Sequence, residues 1–528
     1  MSEQEQDTIK PLLEINQLRF IETRRSQIFF SQDQAWKIKK PLRGDSTVLD
    51  APQVRRDACE RELERGRLHA PGVYLGVVPV TRDRAGALFI DGEGETVDWA
   101  VHMRGLPDCD RADHRLINSR LDDDHIRRIA EHVEAFHSTA PVESRLDSFD
   151  SPAAISSHIE WAFGRADQLE ADDRAAVAVQ KCETWQHDFI RDHASLFRQR
   201  LLTGRVRDGH GDLCLKNIFL DDADNTAAVD GGHRSFEFRM SDVAADVATL
   251  SLDLSVHGRV DLAERFIAAY TYAANDFDLY SVIDFYESCR ANLEGKTADQ
   301  LRRDDTLTSK LRERTKQRAV LYERAALAFE RRPFLPPMVV ALSGLVATGK
   351  SSVARAVAHQ IAAPLVSSDA TRDFMLRDGG DPAANACHEM DWEKSFHPGF
   401  RDEVYNEVFR RAEMVLASGR PIVIDGCFGT RSLRTRARQL AQRFATPFFF
   451  VECTAAESVV RDRLVDRSRR DGVPLESWQN ISDDFRAMWE PTVELPSHEH
   501  VVLETDRPLQ VNVRILEDFL PVWPEEFQ

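Results

Sequence analysis

The stretch Met338–His359, MVVALSGLVATGKSSVARAVAH, decides how the C-terminal part of this chain is read. Val339-Val340-Ala341-Leu342 is a short aliphatic run with the composition of a buried strand. From Ser352 onward apolar side chains recur at helical spacing. Between the two lies Gly344-x4-Gly349-Lys350-Ser351, whose glycines let the backbone curl until its N–H groups face a phosphate. The helix that follows adds positive potential at its N-terminus. Strand, loop and helix in this order separate a phosphate-binding loop from a chance string. Lys350 is expected to bridge β- and γ-phosphates and the Ser351 hydroxyl to ligate Mg2+, with Gly344, Gly349 and Ser352 completing the cradle.

Toward the C-terminus short apolar runs alternate with helical patterns, at Leu365–Val366, Ile422–Ile424, Phe448–Val451 and Val501–Leu503. That rhythm predicts a doubly wound parallel sheet over 338–528. Asp369 and Arg372, in Ser367-Ser368-Asp369-x-x-Arg372, follow the second run. A carboxylate there can take the proton of an acceptor hydroxyl, and an arginine can hold substrate or γ-phosphate; the plainer reading of Asp369 is a helix cap. Asp425 ends Ile422-Val423-Ile424, where an acid can complete the metal shell. Arg463 and Arg467, four apart, share a helix face. With Arg461, Arg469 and Arg470 they can close as a lid over a triphosphate, a solvated helix face being the alternative. The segment 377–399 is polar and irregular, and its His388 and His397 are too isolated to argue a metal.

Toward the N-terminus a second phosphate-handling set is written in His210–Asp230, HGDLCLKNIFLDDADNTAAVD. Phosphoryl transfer needs a group that positions the acceptor hydroxyl and oxygen ligands for the cation on the triphosphate. Asp212 can accept the hydroxyl proton, Asn217 offers a neutral oxygen, and Asp230 supplies the carboxylate that Mg2+ prefers. The spacing from Asn217 to Asp230 suits a hairpin that brings both to one ion. Upstream, residues 17–40 alternate as a hairpin, 51–69 read as a helix, and Val73–Val80 and Leu88–Met103 return to strand character. Ile126, Ile129, Val133 and Phe136 share one helix face. Helices are expected to about residue 200 and again from Ser241 to about Arg331. Asp242 and Asp246 read as structural, capping or tying the 210–217 loop. Three prolines in Pro333–Pro337 end the last helix. The expected organisation is 1–105 and 106–332 as two lobes, 333–337 as linker and 338–528 as the P-loop domain.

These N-terminal motifs resemble the aminoglycoside phosphotransferase-like kinases, and a bacterial branch in which such a domain is fused to a P-loop kinase. The resemblance runs through AWKIKKP (35–41), RRDACEREL (55–63), APGVYLGVVPV (70–80), HGDLCLKNI (210–218) and FRMSDVAADVATLSLDL (238–254), covering most of residues 15–330. It implies a bilobal protein-kinase-like domain with Asp212 as catalytic carboxylate and Asn217 and Asp230 as metal ligands. It also implies Lys37 on the α- and β-phosphates with Lys39 as rival, Glu62 as the helix partner with Glu60 second, and an adenine hinge near His102-Met103-Arg104. Two departures lie on the acceptor side. Cys214 stands where that branch carries a histidine, and Gly231-Gly232-His233-Arg234 replaces an acidic run. Residues 338–515 are similar to predicted kinases grouped with gluconate kinase, the polynucleotide 5′-kinases and zeta-type toxins. That resemblance implies Asp369 as base, Arg372 as substrate or phosphate contact, and Arg463 and Arg467 as lid residues.

At 528 residues the chain is too long for one core. A net charge of −19 argues against a broad nucleic-acid footprint or an anionic membrane surface, although an RNA or DNA end stays open as an acceptor. Apolar runs such as Phe448–Val451 are far below membrane-span length, and MSEQEQDTIK lacks a signal-peptide pattern. Eight scattered cysteines without metal-type spacing read as reduced thiols, and the expected compartment is the cytoplasm. The sum predicts a bifunctional kinase using ATP and Mg2+, each domain phosphorylating a hydroxyl of a small-molecule acceptor. The alternative is that only the P-loop domain is catalytic and the other ATP site regulatory. No membrane partner is expected, and self-association is left open.

Overall fold

In the computed structural model the apolar run Val339–Ser343 becomes a strand of which every residue is buried. The structure describes residues 13–14, 18–22, 26–31, 33–41, 49–143, 153, 155–157, 173–223, 225–230, 240–302, 309–327, 334–378 and 395–520. The chain divides into two units, one drawn from Met1–Asp253 and Cys289–Ala326, the other from Leu254–Ser288 and Leu327–Gln528.

The first unit carries an antiparallel seven-stranded sheet. Its strands are β1 (Leu13–Glu14), β2 (Arg19–Glu22), β3 (Ser26–Ser31), β4 (Gln34–Lys39), β5 (Tyr74–Arg82), β6 (Leu88–Ile90) and β7 (Glu95–Arg104), in the order β1-β6-β5-β7-β4-β3-β2. The single strand expected over Leu88–Met103 is thus two, β6 and β7, both pairing with β5. Helix α1 (Pro52–His69) has proline in its first turn, where a missing N–H costs nothing. It packs Cys59 against Val73, Tyr74 and Val101 of the sheet, while Phe29, Trp36, Val80 and Ile90 form a separate apolar cluster. In register, Lys37 of β4 lies opposite Ile28 and Val101, which places it in the middle of the sheet.

Helices α2 (Ala112–Ile117), α3 (Asp123–Thr139), α4 (Asp173–Asp192) and α5 (Ala194–Leu202) follow. In α3 the four apolar residues of the expected face, Ile126, Ile129, Val133 and Phe136, are all buried. Two short ribbons come next, β8 (Val206–Asp208) with β11 (Met240–Asp242), and β9 (Ile218–Leu220) with β10 (Thr226–Ala228). Ser241, expected to open a helix, instead pairs with Arg207, because β8 offers an unpaired edge and the buried Arg200 grips Asp242 beside it. Helices α6 (Ala244–Val256), α7 (Val260–Ala274), α8 (Ile283–Arg302) and α9 (Ser309–Ala326) follow in the chain, α7 belonging to the second unit.

In the second unit five parallel strands, β12 (Val339–Ser343), β13 (Leu365–Ser367), β14 (Ile422–Asp425), β15 (Phe448–Thr454) and β16 (His500–Glu504), lie in the order β13-β14-β12-β15-β16. Its helices are α10 (Lys350–Gln360), α11 (Ser368–Asp378), α12 (Pro398–Ala417), α13 (Arg431–Arg443), α14 (Glu457–Asp471), α15 (Leu475–Ala487) and α16 (Leu509–Phe519). Val340, Leu342, Val423 and Val451 on one sheet face meet Val353 and Val357 of α10 and Leu516 of α16. On the other, Phe450 meets Phe428, which packs on Tyr405 and Phe409 of α12. Both faces are covered, so the strands are apolar throughout; each buried aliphatic side chain contributes about 1.5–3 kcal/mol. Segment 254–288 joins this unit through buried charge. Arg420 donates to Glu264 at 2.7 Å and to Asp284 at 2.9 Å, and Arg411 to Asn275 at 2.9 Å.

Candidate active sites

The phosphate loop leaves the end of β12 beside the switch in strand order, the position where ligands bind in open α/β sheets. Gly344 has φ +152°, and a Cβ there would lie 2.6 Å from the Cys453 carbonyl oxygen. Gly349, at φ +82°, leads directly into α10. The loop is held from behind. Thr505, just past β16, donates its hydroxyl to the Thr348 carbonyl at 2.5 Å. Arg463 donates to the Thr505 carbonyl at 2.8 Å and to its hydroxyl at 3.0 Å, with Ala347 O at 3.4 Å. Arg463 is therefore an anchor between α14 and the loop as well as a wall of the cleft.

That cleft, of about 650 Å³, is lined by Gly349, Lys350, Ser351, Ser352, Asp369, Asp425, Arg463 and Arg467 among others. The structure thus gathers nearly the whole expected C-terminal set around one space. Asp425 is buried, its Oδ1 has no hydrogen-bond partner, and burial pushes its pKa up against the pull of Lys350 and the hydrogen bond from the Ser351 hydroxyl. An orphaned carboxylate oxygen beside a serine hydroxyl fits Mg2+, which is usually bound through one or two protein groups plus phosphate oxygens. Among the described residues no three His, Cys, Asp or Glu side chains gather as a metal cage.

Asp369 does not cap its helix: Ser367 Oγ accepts the Ala370 N–H at 3.4 Å instead. The Asp369 carboxylate is gripped by Arg372 at 2.8 Å and by Arg467 at 3.0 Å. Burial alone would raise its pKa, but Arg372, Lys350 and Arg467 outweigh that and hold it well below the carboxylate range. Arg372 lies over the Phe396 ring at 4.1 Å and Arg467 over the Trp478 ring at 3.9 Å, so both guanidiniums are fixed in direction.

In the first unit the expected hairpin forms as β9–β10. Val229 N–H donates to Asn217 O at 2.8 Å, closing the ribbon that carries Asn217 at one end and Asp230, at φ +70°, just past the other. Asn217 donates to the Asp212 carbonyl at 2.9 Å. Asp246 accepts the N–H groups of His210 at 2.6 Å and Gly211 at 2.8 Å, which ties the loop to α6. Lys37 donates to Glu62 at 2.8 Å and also to Asp230. Its rival Lys39 shares the same Glu62 at 2.5 Å, whereas Glu60 pairs with Arg56 at the surface. Burial would lower the Lys37 pKa, but Asp230 and Glu62 more than offset it and keep the ammonium charged. Met103 pairs with Ala35 and Tyr74 near the end of β7, and Gly105 N–H donates to Asp33 O at 2.6 Å just beyond. Gly231–Arg234, His233 included, lie outside the described residues, as do the Pro333 end of the linker and most of 377–399.

Sequence reasoning missed several partners. Arg290 of α8, buried, donates to Asp212 at 2.5 Å and pairs with Glu294 at 2.7 Å. Tyr74 OH receives the Asp230 N–H at 3.0 Å. Neither had a local signal. Thr505 did: it directly follows the last parallel strand, on the edge where ligand loops gather.

Residues 339–488 match the profile of the family described as AAA domain. A Mycobacterium tuberculosis protein, uncharacterized protein Rv2004c, is 27% identical over 459 residues, which span 85% of this chain and 86% of that protein. A choline/ethanolamine kinase family protein from Mesorhizobium loti aligns over 62% of this chain and 91% of its own, with 14% identity and a TM-score of 0.35. A gluconokinase from Sinorhizobium meliloti covers 34% of this chain and 88% of its own, with 23% identity and a TM-score of 0.24. The family match and the P-loop cleft together make the C-terminal unit an ATP-dependent phosphotransferase that works with Mg2+. No helix among the described residues is long and apolar enough to cross a membrane.

Proposed function

We propose that the chain is a two-site kinase, each site moving the γ-phosphoryl group of ATP to a hydroxyl of a small molecule. The observation that carries the reading is the meeting of Lys350, the Ser351–Asp425 pair and the arginine-held Asp369 around one cleft. Lys350 and the loop N–H groups would hold the β- and γ-phosphates, and Ser351 and Asp425 would hold Mg2+, which neutralises charge on those phosphates when bound. Asp369 receives the acceptor's hydroxyl proton as the acceptor oxygen bonds to the γ-phosphorus and the bond to the β–γ bridging oxygen breaks, releasing ADP. Arg372 and Arg467 fix that carboxylate, and Arg467 and Arg463 face the growing negative charge.

In the first unit, Lys37 with Glu62 would serve the α- and β-phosphates, Asn217 and Asp230 the metal, and Asp212 the acceptor, with Met103 at the adenine edge. The Lys37–Asp230 contact must then open when Mg2+ and ATP arrive. One observation favours the narrower reading, in which this site only senses ATP: Asp212 is already committed to buried Arg290. Transfer from γ-labelled ATP into a metabolite extract separates the two. Two labelled products are expected, one lost in Asp212→Ala and the other in Lys350→Ala; unchanged labelling in Asp212→Ala would leave the P-loop site as the sole catalyst.

A further inference from the structure

Helix α7 brings into the P-loop cleft one side chain that the phosphate-transfer chemistry does not use. Tyr272 lines that cleft together with Leu365, Ser367, Ala370 and Asp373, near the end of β13 where Asp369 stands. It is 47% exposed, and its side chain has no hydrogen-bond or ring partner among the described residues. α7 lies outside residues 339–488, so the family match does not supply this wall. The helix is fixed at both ends. Glu264 accepts from Arg420 just before β14 at 2.7 Å, and Arg265 meets the His359 ring nitrogen, near the end of α10, at 3.2 Å. At its other end Asn275, left-handed at φ 49°, turns the chain. Arg411 donates there to the Asn275 side-chain oxygen at 2.9 Å and to the Thr371 hydroxyl at 3.1 Å. Thr371 belongs to α11, the helix that carries Asp369 in its first turn.

These anchors say where the ring points. α7 runs from the start of β14 toward the start of α11, the reverse of α10, which runs away from the phosphate loop. Arg265 and Tyr272 are seven apart and share one side of α7. Seven residues are about 10 Å of helix rise, and Ser352 stands seven before His359 on α10. With Arg265 on His359, Tyr272 comes level with the first turn of α10. The sheet order β13-β14-β12-β15-β16 puts this wall at the Asp369 end of the cleft, away from Thr505 past β16. A phenol ring on a fixed backbone thus offers a flat apolar face where the acceptor enters. Covering that face is favourable only with another apolar face, which a ring of similar size supplies. A short open-chain polyol would leave it in water. Building on the kinase reading of this cleft, we propose that Tyr272 is a specificity-determining residue of the P-loop site. The acceptor is an alcohol built on a ring, whose apolar face lies on Tyr272 while its hydroxyl reaches Asp369.

The test uses the full chain, γ-labelled ATP with Mg2+, and a metabolite extract as the source of acceptor. The labelled product lost in Lys350→Ala is that of the P-loop site; it is isolated and its structure determined. It is expected to contain a ring, and its ultraviolet absorbance tells an aromatic ring from a sugar. Tyr272→Ala should lower its formation tenfold or more in dilute extract and recover as the extract is concentrated, because the platform holds the acceptor without touching the reacting atoms. Tyr272→Phe keeps the ring and should stay within twofold of wild type, as should AMPPNP affinity in both variants. A product without a ring, formation indifferent to Tyr272→Ala, an equal loss in Tyr272→Phe, or a matching loss of AMPPNP affinity overturns the inference and leaves the kinase reading intact. If no labelled product is lost in Lys350→Ala, both fall.

Discussion

Asp369 and His69 show how charged neighbours decide whether desolvation wins at a titrating group. Asp369 is charged because Arg372, Lys350 and Arg467 outweigh the desolvation that would neutralise it. At His69, buried against the Phe136 ring and beside His210, the opposing pull of Asp246 is outweighed, and burial with the neighbouring His210 pushes its pKa down to about 2. The unfolded chain protonates this histidine below pH 6.5 while the folded chain does not, so stability is lost as pH falls from about 6.5. One proton corresponds to about 1.4 kcal/mol per pH unit. Urea unfolding at pH 7.5 and 5.5 should show this loss in the first unit, and His69→Gln should flatten it. An equal slope in the variant would place the acid sensitivity elsewhere.

At the scale of elements, the phosphate loop is set by backbone geometry before any ligand arrives. Gly344 sits in a region of φ that side chains rarely adopt, with the Cys453 carbonyl where a Cβ would go. Gly344→Ala should therefore cost about 1–3 kcal/mol of local strain and lower ATP affinity at least tenfold, read by thermal unfolding and nucleotide titration. Such loops are legible in sequence because their requirement is local: two glycines, a strand before and a helix after. The β9–β10 hairpin was legible for the same reason, its two ends being fixed by residue spacing alone. Arg290 and Tyr74 were not, since helical or strand periodicity says which face is buried but not which distant side chain it meets. The Asp369 cap reading failed on competition between neighbours: Ser367 took the free N–H, leaving Asp369 to the arginines. Ser241 went to a strand because its pairing partner, Arg207, lies in another part of the chain.

At the scale of the whole molecule, the two sets of residues proposed to handle phosphate each fall within a single unit of the fold. Lys37, Glu62, Asp212, Asn217 and Asp230 belong to the first; Lys350, Ser351, Asp369 and Asp425 belong to the second. The segment 254–288 marks the limit of what domain reading by composition can do. Its helices look like a continuation of the preceding ones, yet Glu264, Asn275 and Asp284 are partners of Arg420 and Arg411 in the second unit. The central claim is that each set holds its own ATP. Equilibrium binding of ATP with Mg2+ measures this most directly: two ATP per chain are expected, falling to one in Lys350→Ala and to the other one in Lys37→Ala. A single ATP in the wild type, abolished by Lys350→Ala and untouched by Lys37→Ala, would contradict it.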